Sequence, residues 1–173
     1  GSERMVSVIR CAIKDRERAL RDDLTVGFGL VRLRITVNQS RQIVREARRR
    51  YRRHNAARAY VEKEFFAVLA KSHNSEPDPE NVQYRLRRDP RVMEALEWMW
   101  PVLAPAQLLR DLYGSEALLA SAAHNDLVEE EWTALYRQRG ESQVAYRWSD
   151  ADVPLLDEAY AGLGPRMQRD RKA

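Results

Sequence analysis

Asp89-Pro90-Arg91-Val92-Met93-Glu94-Ala95-Leu96-Glu97-Trp98-Met99-Trp100-Pro101 decides the fold class. Asp89 and Pro90 supply an N-cap and a first-turn proline, which needs no N–H at that position. Val92, Met93, Leu96, Met99 and Trp100 then recur at helical spacing and form the most apolar face in the chain. Pro101 breaks the helix. Leu108, Leu109 and Leu112 follow, and Gly114-Ser115 gives a stop and a fresh cap ahead of Leu118 and Leu119. Short abutting helices of this kind predict a compact helical subdomain built around Trp98, Trp100 and the leucines.

Upstream, Met5, Val8, Ile9, Ala12 and Ile13 repeat with helical period and predict a first core helix. The period then changes. Leu24 to Leu30 carries Gly27 and Gly29, and Val31, Leu33 and Ile35 alternate with Arg32, Arg34 and Thr36, predicting a small β-hairpin with one buried face. A lone hairpin is marginal in water, so it must pack on the helices. Gly27 and Gly29 are no phosphate loop, because neither a third glycine nor a Gly-Lys-Ser/Thr ending opens a helix after them.

Asn38 or Ser40 is expected to cap a basic helix through Ile43, Val44 and Ala47 into Arg48-Arg49-Arg50-Tyr51-Arg52-Arg53. His54-Asn55 reads as a tight joint, with Asn55 capping a helix that carries Tyr60, Val61, Phe65, Val68 and Leu69 at core spacing. The polar, proline-containing run from His73 to Glu80 is the expected boundary between two subdomains, 1–75 and 76–173. The expected class is therefore mainly α: an irregular helical domain with a small hairpin and two helical subdomains.

A length of 173 residues with 44% hydrophobic content allows one core, or one core and an appendage. No run approaches the roughly 20 apolar residues that span a bilayer, so a cytoplasmic protein without membrane contact is expected. One cysteine, Cys11, excludes an internal disulfide framework and a multi-cysteine zinc site, and its apolar neighbours predict a buried thiol. His54, His73 and His124 lack ligand spacing, so no metal site is expected. A net charge of +4 allows weak attraction to polyanions. Gly1-Ser2 at the start fits either a cloning remnant on a domain excised from a longer parent or a natural fragment that begins the same way.

Near the C-terminus stands Trp148-Ser149-Asp150-Ala151-Asp152-Val153-Pro154-Leu155-Leu156-Asp157-Glu158-Ala159. Local chemistry offers two registers for its helix. Ser149 and Asp152 have capping-box spacing, with Trp148 and Val153 placed as a hydrophobic staple; alternatively, Pro154 forces a short first turn and the main helix starts at Asp152. Leu156, Ala159, Tyr160 and Leu163 follow at helical spacing, and Gly164-Pro165 ends it.

As a whole string this stretch resembles a signature, W-[ST]-x-A-D-x-P-L-L-D-E-A, of the HelD-type ATPases that bind and recycle bacterial RNA polymerase, relatives of the UvrD and Rep helicases. The tract from Trp100 to Tyr113, WPVLAPAQLLRDLY, is similar to a second one, W-P-x-L-[ST]-P-x-Q-L-L-x-x-L-[FY], departing at Ala104, where the family has a hydroxyl cap. The resemblance implies an insertion domain of the first ATPase lobe that grips the polymerase core and sends a loop into its primary channel. In some members this region is implicated in displacing rifamycins. The chain itself would be no enzyme and hold no cofactor: ATP and Mg would belong to the remaining ATPase lobes of the parent, its other partners.

By position the loop spans about 125–147. Its expected polymerase-contact residues are Asp126, Glu129, Glu130, Glu131, Arg139, Glu141 and Tyr146. The acids either stand in for nucleic-acid phosphates or approach the active-site metal, or they merely favour a helix N-terminus. The basic helix from Arg41 to Arg53, seven arginines against Glu46 with Tyr51 among them, is a candidate for DNA or RNA phosphates through Arg48, Arg49, Arg50, Arg52 and Arg53, for an acidic protein surface, or for a solvated face. It carries the main alternative, a nucleic-acid-binding accessory domain of a UvrD/Rep-like helicase. A third reading is a helical spacer.

Overall fold

A computed structural model of the chain describes residues 2–139 and 152–166. The order is α1 (Ser2–Lys14), β1 (Leu24–Phe28), β2 (Val31–Ile35), α2 (Val37–Arg50), α3 (Arg58–Lys71), α4 (Pro79–Leu86), α5 (Pro90–Met99), α6 (Pro105–Tyr113), α7 (Glu116–Ala123), α8 (Glu129–Arg139) and α9 (Val153–Leu163). The protein is mainly α with a small antiparallel hairpin, as expected. None of the described helices is long and apolar enough to cross a membrane.

The chain divides into two compact units, each discontinuous in sequence. One, here the hairpin unit, comprises Arg16–Arg52 and Ala56–Val102. The other, the α1 unit, comprises Gly1–Asp15, Arg53–Asn55 and Leu103–Ala173. This differs from the boundary expected at 75/76. After the polar connector, α4 packs back on α3 and buries Val82 and Leu86 in the same core as Phe65, Phe66 and Leu69. A proline-containing polar run suits a turn as well as a linker, and the apolar face of the next helix decides which it is. The helical subdomain expected around Trp98, Trp100 and the leucines is likewise divided. Trp100 belongs to the core of the hairpin unit, whereas Leu108, Leu109 and Leu112 belong to that of the α1 unit.

In the hairpin unit, Phe28 pairs with Val31 across a two-residue connection whose first residue, Gly29, has φ +60°, the arrangement of a type II′ turn. Val26, Phe28, Leu33 and Ile35 are buried, and β2 lies on α3. Trp98 pins the segment ahead of the hairpin: its indole N–H donates to Ala19 O at 2.9 Å. The guanidinium carbons of Arg18 and Arg21 lie 3.7 and 3.6 Å from its ring centroid, close enough that they must take opposite faces. Met93, expected on the apolar face of α5, is exposed.

The caps correct two expectations. Thr36, not Asn38 or Ser40, caps α2: the Gln39 N–H donates to Thr36 Oγ1 at 3.1 Å, and the Thr36 N–H to Gln39 Oε1 at 2.9 Å. Ser40 is buried and accepts from the Leu20 N–H at 2.9 Å. Nor does Asn55 cap α3, whose N-cap is Ala57 without a side-chain bond. Asn55 serves the α1 unit instead.

Candidate functional site

Two surfaces carry the residues singled out from the sequence, one in each unit. In the α1 unit the two signature tracts meet, since α6 packs on α9 and both touch α1. Leu103, Leu108, Leu109, Leu112 and Tyr113 share one core with Ala159 and Leu163. Ala104 is the N-cap of α6 and makes no side-chain bond, so the missing hydroxyl leaves the cap vacant. For α9 the register is the later one: the helix begins at Val153 with Pro154 in its first turn and a buried Asp152 at the N-cap. It ends at Gly164, φ +73°. Tyr160, expected on the core face, is exposed. Asp157 faces solvent, and Glu158 accepts from Arg10 at 3.1 Å.

Asn55, 1% exposed, ties the first tract to the end of α9, just beyond the second. Its Nδ2 donates to Leu103 O at 2.8 Å and Gly164 O at 3.0 Å, and its Oδ1 accepts from the Leu103 N–H at 3.0 Å. Both carbonyls and the N–H would otherwise be orphaned in the interior.

On that scaffold α8 turns Trp132, Leu135 and Tyr136 toward the core. Its acids separate into two groups. Glu131 is structural: Oε1 accepts from the Val128 N–H at 3.1 Å and from Arg4, whose guanidinium, with that N–H, holds the carboxyl below its ordinary value. Asp126 contributes its backbone carbonyl to Arg4 Nε at 3.0 Å. Glu129 and Glu130, by contrast, are exposed, have no partner among the described residues, and with Thr133, Ala134 and Arg137 line an open depression. The first-turn position suits their charge through the helix dipole, so exposure alone does not assign them a partner. Glu141, Tyr146, the Arg139 side chain and the stretch Trp148-Ser149-Asp150-Ala151 lie outside the described residues.

The second surface is the arginine helix. The hairpin unit holds 18 Arg and Lys against 12 Asp and Glu, a net +6, and the α1 unit 12 against 14, a net −2. The five arginines picked from the sequence do not act together. Arg48 donates to Glu17 Oε1 and to Glu17 O, both at 3.0 Å. Arg49 and Arg50 share Glu46, and those two guanidinium groups hold its carboxyl down at about 2. Arg53 belongs to the α1 unit, where its stem lies so near Gly164 that a Cβ there would sit 2.9 Å from Arg53 Cδ. Arg52 stays exposed with no partner among the described residues. Arg41 and Arg45 of the same basic helix, spaced by four with Arg49, stand with it on one helix face.

Among the described residues no group of three or more His, Cys, Asp or Glu could hold a metal ion. Cys11 is half-buried, not fully buried as expected. The sequence matches no protein-family model and no curated protein, so neither comparison bears on its family.

Proposed function

We propose that the chain is a polymerase-binding module of a HelD-like motor, acting in the cytoplasm. It contacts bacterial RNA polymerase core through the outer face of α8 and the segment after it, while the nucleotide chemistry stays on the parent's other lobes. One observation carries the reading. Glu129 and Glu130 stand unpartnered among the described residues on the face of α8 that turns from the core, while Arg4 and Trp132 anchor the helix behind them. Anchoring from behind lets an acidic face present charge to a basic channel without loosening the helix. The tract from Trp100 to Tyr113 supports it further, since its helix α6, together with α7, carries α8.

The test is interferometry of the chain against bacterial core polymerase, beside a Glu129→Lys/Glu130→Lys variant and a variant lacking 139–146. Saturable binding weakened at least tenfold by each change is the expected outcome. Binding that neither change affects, or no binding at all, would sink the reading.

A further inference from the structure

The outward face of α2 carries a line of guanidinium groups that ends at an aromatic pair. The helix buries Ser40, Ile43, Val44 and Ala47. At about 100° per residue the opposite side presents Arg41, Arg45 and Arg49, each about 6 Å further along the axis than the last. All three are exposed. Arg48 and Arg50 flank the line and Arg52 follows it, making six guanidinium groups against two neighbouring carboxylates, Glu17 and Glu46. Arg41 bonds only the neutral Asn38 side chain, and Arg45 has no partner among the described residues. At the far end Tyr51 is 37% exposed, its ring 5.7 Å from that of Tyr60, over which the Arg50 guanidinium sits at 5.0 Å.

We propose that this face binds single-stranded nucleic acid, with Arg41, Arg45 and Arg49 holding successive phosphates and Tyr51 stacking an unpaired base. The pairing of a basic track with an exposed aromatic is what sequence-tolerant strand binding requires. A lipid surface fits worse. Asn38 and Gln42 lie beside the arginines, so Tyr51 is left as the one exposed ring of the face, too little apolar surface to sink into a bilayer. Duplex fits worse too, because a paired base offers Tyr51 no open face. The site is in the hairpin unit and does not depend on the polymerase reading.

The experiment is fluorescence anisotropy of the whole chain with an oligothymidylate about 20 nucleotides long. Between about 50 and 200 mM salt, three neutralised phosphates give a slope of log K against log salt of about −2. The Arg41→Gln/Arg45→Gln/Arg49→Gln variant should flatten that slope, whereas the three Arg→Lys changes, which keep the charge and a partner for Glu46, should preserve it. Tyr51→Ala should weaken binding about tenfold at unchanged slope. An unchanged slope in the glutamine variant with its melting temperature intact, or no saturable binding, overturns the proposal. So does anionic-vesicle binding of equal strength that ignores Tyr51→Ala, since it would mark a general anion surface.

Discussion

Replacing Asn55 by alanine strikes a side chain that joins the segment before α6 to the end of α9. The change removes three hydrogen bonds from a residue with 1% exposure and strands the Leu103 N–H, Leu103 O and Gly164 O. At about 1 kcal/mol net for each bond the loss is about 3 kcal/mol, a rise of roughly 150-fold in the population of the opened α1 unit. Asn55→Asp keeps the shape but turns an acceptor toward two carbonyls, which is worse while the carboxyl is charged. Its folded pKa then lies above the unfolded one, so the penalty is complete at high pH and fades as pH falls through the folded value. Hydrogen exchange read by mass spectrometry resolves the effect by segment. Amides of α6 and α9 should lose protection by about that factor and those of α3 should not. A loss under about fivefold in α6 and α9, or an equal loss in α3, would refute the reasoning.

Other perturbations follow from features equally local. Ala104→Ser supplies the missing cap of α6 at a position already extended, φ −91° and ψ 149°, and should stabilise by about 0.5–2 kcal/mol in urea titrations; no gain would mean the open cap is satisfied otherwise. Gly164→Ala adds a Cβ 2.9 Å from Arg53 Cδ at φ +73°, whereas Gly29→Ala at φ +60° meets nothing closer than 4.0 Å. Each backbone lies in a region that only glycine enters freely and costs an alanine on the order of 1–3 kcal/mol, so the same titrations should show Gly164→Ala, with its added clash, as the more damaging of the two. Asp23, Glu46 and Glu131 are all held below their ordinary values by arginines. Their contribution is complete above about 4.5 and lost as pH falls toward the value of about 2 at Glu46, so melting temperature should drop across that window, less steeply in Glu46→Gln.

Most of the helices and the hairpin were legible because their signals are short-range; α4 was missed, since its cap Asp78 and first-turn Pro79 lie inside the run read as a linker. Asp89-Pro90, Ser115 and Gly164 each set a helix end by backbone chemistry within one turn. Where the reading failed, the deciding partner was distant in sequence. Asn55 has the composition of a cap, yet its bonds go to Leu103 and Gly164, residues 48 and 109 positions away. Ser40 was equally plausible as a cap until Leu20 claimed it. The acids of α8 looked alike in sequence, and what separates Glu131 from Glu129 and Glu130 is Arg4, 127 residues from Glu131. The arginine run misled in the opposite sense: adjacency in sequence put Arg48 through Arg53 in one group, while the helix turned Arg48 to Glu17 and aligned Arg49 with Arg41 and Arg45.

The interleaving of the two units bears on how the chain folds as it leaves the ribosome. Residues 16–102 complete the hairpin unit apart from the excursion at Arg53–Asn55, so its core can close early and largely from near neighbours. Helix α1 precedes that unit in the chain but packs on α6, α7 and α9, the last of which begins at Val153. Until α6 and α7 are made, Val8, Ile9, Ala12 and Ile13 lack the surfaces that cover them in the folded unit, and the cover is complete only with α9. An early helix with a late partner is a natural client for a chaperone, and the vulnerable stage for this unit lies between the synthesis of α1 and that of α9.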